Sequence, residues 1–183
     1  MATGRCMAAL IAFSAAALAR GPIDLHGKSV DPFADTARTR VFLFVRTDCP
    51  ISNRYAPELQ RIASEFSSRG VEFWLVYSDR AETAAGIEAQ IAQYKLPGKP
   101  LRDTDHKLAA RSQATVSPQA AVFDGSGKLI YTGRIDDQFV DFGKARPRAT
   151  THDLESAIAA VLSGKPVKFT KTRAVGCYLA DVQ

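Results

Sequence analysis

One cysteine lies where a buried strand is predicted to meet a helix, and this junction constrains the fold more than any other feature. The apolar run 41–45 is typical of a buried strand, and an amphipathic helical pattern extends from about Asn53 to Ser68. Cys49, followed by Pro, Ile and Ser, falls between them. Free amides and the helix dipole at a helix N-terminus favour a thiolate, the reactive form of cysteine. We therefore interpret Cys49 as a reactive thiol rather than a structural one.

The length and charge of the chain indicate one globular domain that does not bind nucleic acid. The chain has 183 residues and a net charge of +5, and its hydrophobic fraction of 46% is enough to bury a core. Its one dense basic stretch, residues 144–148, is too short for a nucleic-acid module. We expect no nucleic-acid partner.

The first residues have the pattern of a secretory signal peptide. Residues 1–5 carry one positive charge, residues 6–18 are almost wholly small and apolar, and residues 17–19 form an A-x-A cleavage site. The apolar stretch is too short to span a bilayer, and no other run approaches that length. We expect signal peptide 1–19 to be removed and the protein to be periplasmic or secreted, not an integral membrane protein.

Cleavage would remove Cys6 and leave Cys49 and Cys177 in the mature chain. Two cysteines in an oxidising compartment favour a disulfide. Their separation does not decide between a structural clamp, a redox couple and two free thiols, because geometry decides which cysteines can be bridged.

The rest of the pattern predicts strands and helices that alternate and then end in a hairpin and a helix. Further strands are predicted at 71–77, 119–123 and 128–132, the last two joined by a turn. Further helices are predicted at 81–94, 105–111 and 153–162. Pro57 should kink the first helix or reset its first turn, and Gly70 should end it. The order predicts an α/β fold, with a mixed central sheet and helices on both faces.

Four features at matching spacing resemble the redoxin branch of the thioredoxin fold. Residues 23–28 resemble the redoxin entry segment, and Cys49 lies at the place of the nucleophilic cysteine. Pro57 matches the proline that kinks the active-site helix, and Val116-Ser117-Pro118 matches the cis-proline segment. The chain is thus similar to AhpC/TSA-like proteins of the thiol–disulfide oxidoreductase branch that have a D-C-P-I-S active site.

The resemblance implies a thioredoxin-like domain over 20–165 and a tail, 166–183, that carries Cys177. It implies that the Cys49 thiolate attacks a protein disulfide to give a mixed disulfide, with a cis Pro118 beside the sulfur. The partners would be protein thiols or disulfides. No cofactor and no metal are expected.

The second cysteine of a typical thioredoxin active site is replaced here by Ser52, which can donate a hydrogen bond to sulfur but cannot form a disulfide. Resolution of the mixed disulfide therefore falls to Cys177 or to an external thiol reductant. The same proteins share segments 133–137, 152–154 and 174–177, to which the resemblance assigns no role.

Three alternatives remain at this level. A peroxiredoxin-like thiol peroxidase would also use Cys49, but position 46 holds Arg where such enzymes have threonine, and Arg46 or Arg134 would have to bind the peroxide. A Cu(I) chaperone would combine Cys49 and Cys177 with His152. A non-catalytic binding module would keep the fold with an inert thiol. Asp136 and Asp137 are expected at a solvated strand end.

Overall fold

The structure, a computed structural model, describes residues 21–34 and 39–179. The predicted apolar run lies in the central strand of its sheet. The strands in the described residues are β1 Thr39–Phe44, β2 Val71–Tyr77, β3 Lys99–Arg102, β4 Val116–Ser117, β5 Gln119–Asp124, β6 Leu129–Gly133, β7 Phe139–Asp141, β8 Lys144–Ala145 and β9 Cys177–Tyr178. The α-helices are α1 Pro50–Arg54, α2 Ala56–Phe66, α3 Ala84–Tyr94, α4 Lys107–Ser112 and α5 Asp153–Leu162. The predicted signal peptide, 1–19, lies outside the described residues.

The central sheet mixes parallel and antiparallel pairs, as predicted. Within the described chain it has five strands in the order β3-β2-β1-β5-β6. The pairs β1–β2 and β2–β3 are parallel, whereas β1–β5 and β5–β6 are antiparallel. The sequence pattern missed β3, which contains Pro100. Proline lacks an amide hydrogen, so an edge strand such as β3 can accept it.

Strand β1 alternates between two hydrophobic clusters, one on each face of the sheet. Val41 and Leu43 pack in the cluster that includes residues of α2, α3 and α5. Phe42 and Phe44 pack in the cluster that includes Trp74 and residues of α4. The helices therefore cover both faces, which confirms the predicted fold class.

The predicted helix over 53–68 is instead two helices, α1 and α2, and this boundary was wrong. The helical region begins earlier, at Pro50, and is divided at Tyr55. Pro57 lies in the first turn of α2, where its missing amide hydrogen leaves no helical hydrogen bond unmade. Gly70 closes this region with φ of 80°, as expected for a C-cap.

The starts of three later elements also differ from the predicted bounds. Helix α3 begins at Ala84 rather than 81, because the Thr83 hydroxyl caps it by accepting the Gly86 N–H at 3.1 Å. Helix α4 covers Lys107–Ser112, and β6 begins at Leu129. The last helix, α5, has the predicted bounds.

After α5 the chain returns past β6 to β4. The Thr132 N–H donates to Thr170 O at 2.9 Å, and the Thr172 N–H donates to Thr132 O at 3.1 Å. Further on, β9 pairs antiparallel with β4. Leu179 then packs into the same cluster as Trp74, with 4% of its surface exposed. In the described part of the chain, no helix has the length and apolarity needed to cross a membrane.

Replacing Leu59 in α2 should destabilise the domain, because its side chain is 1% exposed and packs between α2 and the sheet. For Leu59→Ala we expect a loss of about 2–5 kcal/mol in the free energy of unfolding, measured by urea denaturation. Ser64→Ala, on the exposed face of α2, is the matched control and should change it by less than about 0.5 kcal/mol. Equal effects of the two variants would contradict the packing described.

Candidate active site

Cys49 lies between β1 and α1, at the junction that the sequence pattern indicated. It is the N-cap residue of α1, and its side chain is fully buried. Its N–H donates to Arg46 O at 3.4 Å, and its carbonyl accepts the Asn53 N–H at 3.2 Å. The sulfur is therefore fixed by short-range backbone contacts but has no exposed surface.

The tail brings Cys177 directly onto Cys49. In the β4–β9 pair, Cys177 lies opposite Ser117 and Tyr178 lies opposite Val116. The Cys177 thiol donates to Cys49 Sγ at a sulfur–sulfur distance of 2.9 Å, and both cysteines are unbridged. A disulfide has a sulfur–sulfur distance of about 2 Å, so a movement of about 1 Å would allow this bond to form.

Two opposing effects set the pKa of Cys49. Burial penalises the charged form and raises the pKa, but hydrogen bonds from the thiol and backbone of Cys177 and from the backbone and hydroxyl of Ser52 lower it. The hydrogen bonds outweigh burial, and the pKa of Cys49 lies below that of an ordinary thiol. As a neutral thiol, Cys49 donates to Ser117 O at 3.1 Å.

The pKa of Cys177 shifts in the opposite direction, to a higher value. Burial, the hydrogen bond to Cys49 and the negative charges of Cys49 and Asp48 raise the pKa of Cys177 to about 11. Such a pair holds one proton between two sulfurs, with the negative charge favoured on Cys49. The arrangement supplies a nucleophile at Cys49 and a proton on Cys177.

The other two predicted site residues belong to the same junction: Ser52 hydrogen-bonds Cys49, and Pro118 directly follows Ser117, whose carbonyl contacts the Cys49 sulfur. The Ser52 and Ser117 hydroxyls are hydrogen-bonded at 2.7 Å, and both residues are fully buried. The Ser117–Pro118 peptide bond is cis, as predicted. The structure thus brings together Cys49, Ser52, Pro118 and Cys177.

Gly176, which the sequence analysis did not single out, permits the close approach of the tail. A Cβ atom built on Gly176 would overlap the Ser117 carbonyl oxygen and lie 3.0 Å from Pro118 N. These are backbone atoms, which cannot move aside as the end of a flexible side chain can. Gly176 directly precedes Cys177 in the sequence, but no local sequence feature indicated this contact with a distant part of the chain.

Two buried side chains hold the loop before Cys49, and the sequence analysis missed both. Glu82 accepts the Thr47 N–H at 2.7 Å, and burial raises the pKa of its carboxyl. Gln90 donates to Arg46 O at 2.8 Å and to Asn53 Oδ1 at 2.6 Å. Isolated polar residues on or near a helix gave no indication of this role.

Both arginines considered for peroxide binding are paired with carboxylates. Arg46 is bound to Asp48 and Asp79, at 2.9 and 3.2 Å, and donates to Tyr178 O at 3.1 Å. Arg134 forms an ion pair with Asp153 at 2.8 Å. Arg46 therefore clamps the tail, and Arg134 joins β6 to α5.

The expectation that Asp136 and Asp137 are solvated was wrong, because both are buried, at 3% and 5% exposed. Asp136 accepts the Tyr55 hydroxyl at 2.6 Å, and burial raises the pKa of this carboxyl. Asp137 accepts the backbone N–H groups of Thr150 and Thr151, at 2.6 and 3.0 Å. Segment 133–137 thus ties the start of α2 to the approach to α5.

The three-ligand copper site considered above does not form. His152 Nδ1 lies 3.7 Å from Glu58 Oε1. Within residues 21–34 and 39–179, Glu58, His152 and Glu155 make up the group of three whose ligand atoms lie within 4.8 Å of one another. His152 therefore belongs to a carboxylate cluster and not to the cysteine pair.

Comparison with known proteins identifies both a family and a fold. The AhpC/TSA family matches residues 10–132. A hypothetical protein from Sinorhizobium meliloti 1021 is 25% identical, with a TM-score of 0.70 over 85% of this chain and 87% of that chain. An uncharacterized conserved protein from Geobacillus kaustophilus is 23% identical, with a TM-score of 0.72 over 87% and 88% of the two chains. No curated protein matches the chain.

A third solved structure carries a functional description of its own. It is a secreted Mycobacterium tuberculosis disulfide oxidoreductase homologous to E. coli DsbE, 21% identical, with a TM-score of 0.54. The match covers 75% of this chain and 92% of that chain. At this identity the likeness establishes the thioredoxin-like fold.

Replacing Gly176 should separate the two sulfurs, because the added Cβ atom would push β9 away from β4. For Gly176→Ala we expect the rate of Cys49–Cys177 disulfide formation with diamide to fall, on the order of tenfold to a hundredfold. The readout is mass spectrometry after alkylation. Gly21→Ala is the matched control, because a Cβ atom there meets nothing within 4 Å. An unchanged rate in a folded Gly176→Ala protein would contradict the close approach.

Proposed function

The chain belongs to the AhpC/TSA family, and from this membership and the geometry around Cys49 we propose that it is an exported thioredoxin-like thiol–disulfide oxidoreductase. Cys49 is the nucleophile, and Cys49 and Cys177 cycle between a dithiol and a disulfide. The observation that carries the proposal is the 2.9 Å distance between Cys49 Sγ and Cys177 Sγ.

The net reaction transfers two electrons. The reduced pair gives two electrons to a partner disulfide, which leaves as two thiols after taking the Cys177 proton and a second proton from solvent, and Cys49 and Cys177 become bridged. The reverse reaction oxidises two partner thiols. The partners are protein thiols or disulfides, with an external thiol completing the cycle when the pair must be reduced again.

Each of the four site residues has a role in this cycle. Cys49 supplies the thiolate, and the Ser52 amide and hydroxyl stabilise its charge. Pro118 follows Ser117, whose strand positions the tail, and Cys177 is the redox partner of Cys49. The roles differ from those in a C-x-x-C protein because the second sulfur arrives from the end of the chain.

The domain boundaries and location complete the proposal. Residues 20–165 form the redoxin domain, residues 166–183 form the tail, and signal peptide 1–19 directs the protein to the periplasm or outside the cell. The composition of residues 1–19 and the similarity to a protein described as secreted support this location.

Peroxide reduction is the weaker candidate for the same sulfur. It needs a cationic or hydroxyl donor facing the peroxide oxygens. The Arg46 guanidinium is already bound to two carboxylates and to a tail carbonyl, and Arg134 is paired with Asp153. Thiol–disulfide exchange needs no such donor.

The proposal predicts a reversible disulfide and catalysis that depends on both cysteines. With glutathione disulfide as oxidant, we expect the wild-type protein to form the Cys49–Cys177 bridge and to speed oxidation of a reduced dithiol peptide. Cys49→Ser and Cys177→Ser should both return the reaction to its uncatalysed rate. The readouts are mass spectrometry after alkylation and peptide fluorescence.

Ser64→Ala is the control for this experiment, because Ser64 is exposed on α2 away from both cysteines. Its rate should equal that of the wild type. The proposal would be contradicted if the wild-type protein formed no bridge but consumed hydrogen peroxide, and if Cys49→Ser lost this activity. The function would then be peroxide reduction rather than thiol–disulfide exchange.

The two thiols should titrate separately with pH. In absorbance at 240 nm, taken as the difference from the Cys49→Ser/Cys177→Ser double variant so that tyrosinate absorbance cancels, the reduced protein should show a first step below the pKa of an ordinary thiol and a second near 11. Cys177→Ala removes a hydrogen bond to the Cys49 thiolate, so the Cys49 step should move to higher pH. Ser64→Ala should leave both steps in place. A Cys49 step that stayed fixed in Cys177→Ala would contradict the coupling of the two sulfurs.

A further inference from the structure

The two sulfurs differ in their access to solvent. Cys49 is fully buried, whereas Cys177 is partly exposed. Two groups lie against the Cys49 sulfur: the Cys177 thiol of the tail, at 2.9 Å, and the carbonyl of Ser117, which pairs with Cys177 in the β4–β9 strand pair, at 3.1 Å. An incoming molecule therefore meets Cys177 before it meets Cys49.

The tail is anchored on both sides of Cys177. Before it, the Thr172 hydroxyl is hydrogen-bonded to the Tyr131 hydroxyl at 2.6 Å and accepts the Arg134 N–H at 3.1 Å. After it, Leu179 is buried in the core cluster that contains Trp74, and its N–H donates to Thr115 O at 3.0 Å. Lifting the tail would break all of these contacts.

The tail also occupies the strand edge that an extended substrate would use. Peptides commonly bind by adding a strand to a free sheet edge. Here the β4 edge is already paired with β9, and Gly176 lies against the backbone of Ser117 and Pro118. A partner that reached Cys49 in the usual way would have to displace this strand.

We propose that partners exchange with the cysteine pair through Cys177, and that Cys49 acts behind it without meeting them. This inference rests on the proposed function, because it requires a Cys49–Cys177 disulfide. It makes the pair an acceptor of electrons from external thiols, with the exposed tail sulfur as the point of attack.

A partner thiolate attacks Cys177 Sγ of the disulfide, the Cys49–Cys177 bond breaks, and Cys49 leaves as a thiolate. A second partner thiolate then attacks the partner sulfur of the mixed disulfide, which releases the oxidised partner and expels Cys177. Of the two protons that the partner thiols lost, one goes to Cys177 and the other to solvent. Two partner thiols are oxidised, and the pair is reduced by two electrons.

The pKa values of the two thiols favour the same point of attack, Cys177, as their exposure to solvent does. A thiol with a low pKa is the better leaving group, and the hydrogen bonds to Cys49 lower its pKa while that of Cys177 is raised. Attack at Cys177 therefore expels the better leaving group. In the reverse direction Cys49 remains the nucleophile, because its thiolate attacks the mixed disulfide carried on Cys177.

Single-cysteine variants test which sulfur is reached from outside. We expect the thiol of Cys49→Ser, which retains Cys177, to react with 5,5′-dithiobis(2-nitrobenzoate) at least about tenfold faster than the thiol of Cys177→Ser, which retains Cys49. The order is expected even though Cys49 has the lower pKa. In guanidinium chloride the two variants should react at similar rates. Faster reaction of Cys49 in the folded protein would overturn the proposal.

A second pair of variants tests whether the tail restricts access to Cys49. In the Cys177→Ser background, Leu179→Ala removes the buried anchor and should raise the reactivity of Cys49 about tenfold or more. Tyr178→Ala is the matched control, because that side chain is 78% exposed, and it should have no effect. If Leu179→Ala had no effect in a folded protein, the tail would not be the barrier.

Mapping of the mixed disulfide distinguishes this inference from the proposed function. Oxidised wild-type protein is mixed with reduced glutathione, quenched in acid and digested. Glutathione on the Cys177 peptide is the expected result. Glutathione on Cys49 would overturn the inference but leave the oxidoreductase intact, whereas failure to form any Cys49–Cys177 bridge would remove the proposed function as well.

Discussion

The pairing of the tail with β4 is the contact on which the site depends. It places Cys177 opposite Ser117 and within 2.9 Å of Cys49, and it buries the Cys49 sulfur. It also supplies two of the hydrogen bonds that lower the pKa of Cys49. Without β9 the junction between β1 and α1 would hold a single thiol. With it, the same junction holds a coupled pair with one proton between two sulfurs.

The rest of the polar interior fixes this junction from several sides. Gln90 and Glu82 hold the loop before Cys49. Asp136 holds Tyr55 at the break between the two active-site helices. The Arg134–Asp153 ion pair and the Thr172 hydroxyl join β6 to α5 and to the tail. Polar groups that are hydrogen-bonded in this way specify one arrangement of the segments around the sulfurs.

Much of the fold was predictable because it follows local rules. The apolar run of β1, the hairpin β5–β6 and the helix α5 have clear periodicity or turn residues, and Cys49 and the cis Pro118 lie in recognisable segments. What failed were features set by distant parts of the chain. Edge strand β3 contains Pro100, and burial of Asp136 depends on Tyr55, 81 positions away. Nothing local to Gly176 indicates that it will lie against Ser117. The sequence alone left the relation of Cys49 to Cys177 open for the same reason.

The distance along the chain between the two cysteines has a consequence for the folded state as a whole. They are 128 positions apart, and one follows the first strand of the sheet while the other lies near the last described residue. A bond between them would close a loop containing most of the domain, which lowers the entropy of the unfolded chain by an amount worth about 5 kcal/mol. Each turnover would therefore also change the free energy of unfolding of the whole domain. The oxidised protein would be the more stable form, and reduction of the pair would make the domain easier to unfold.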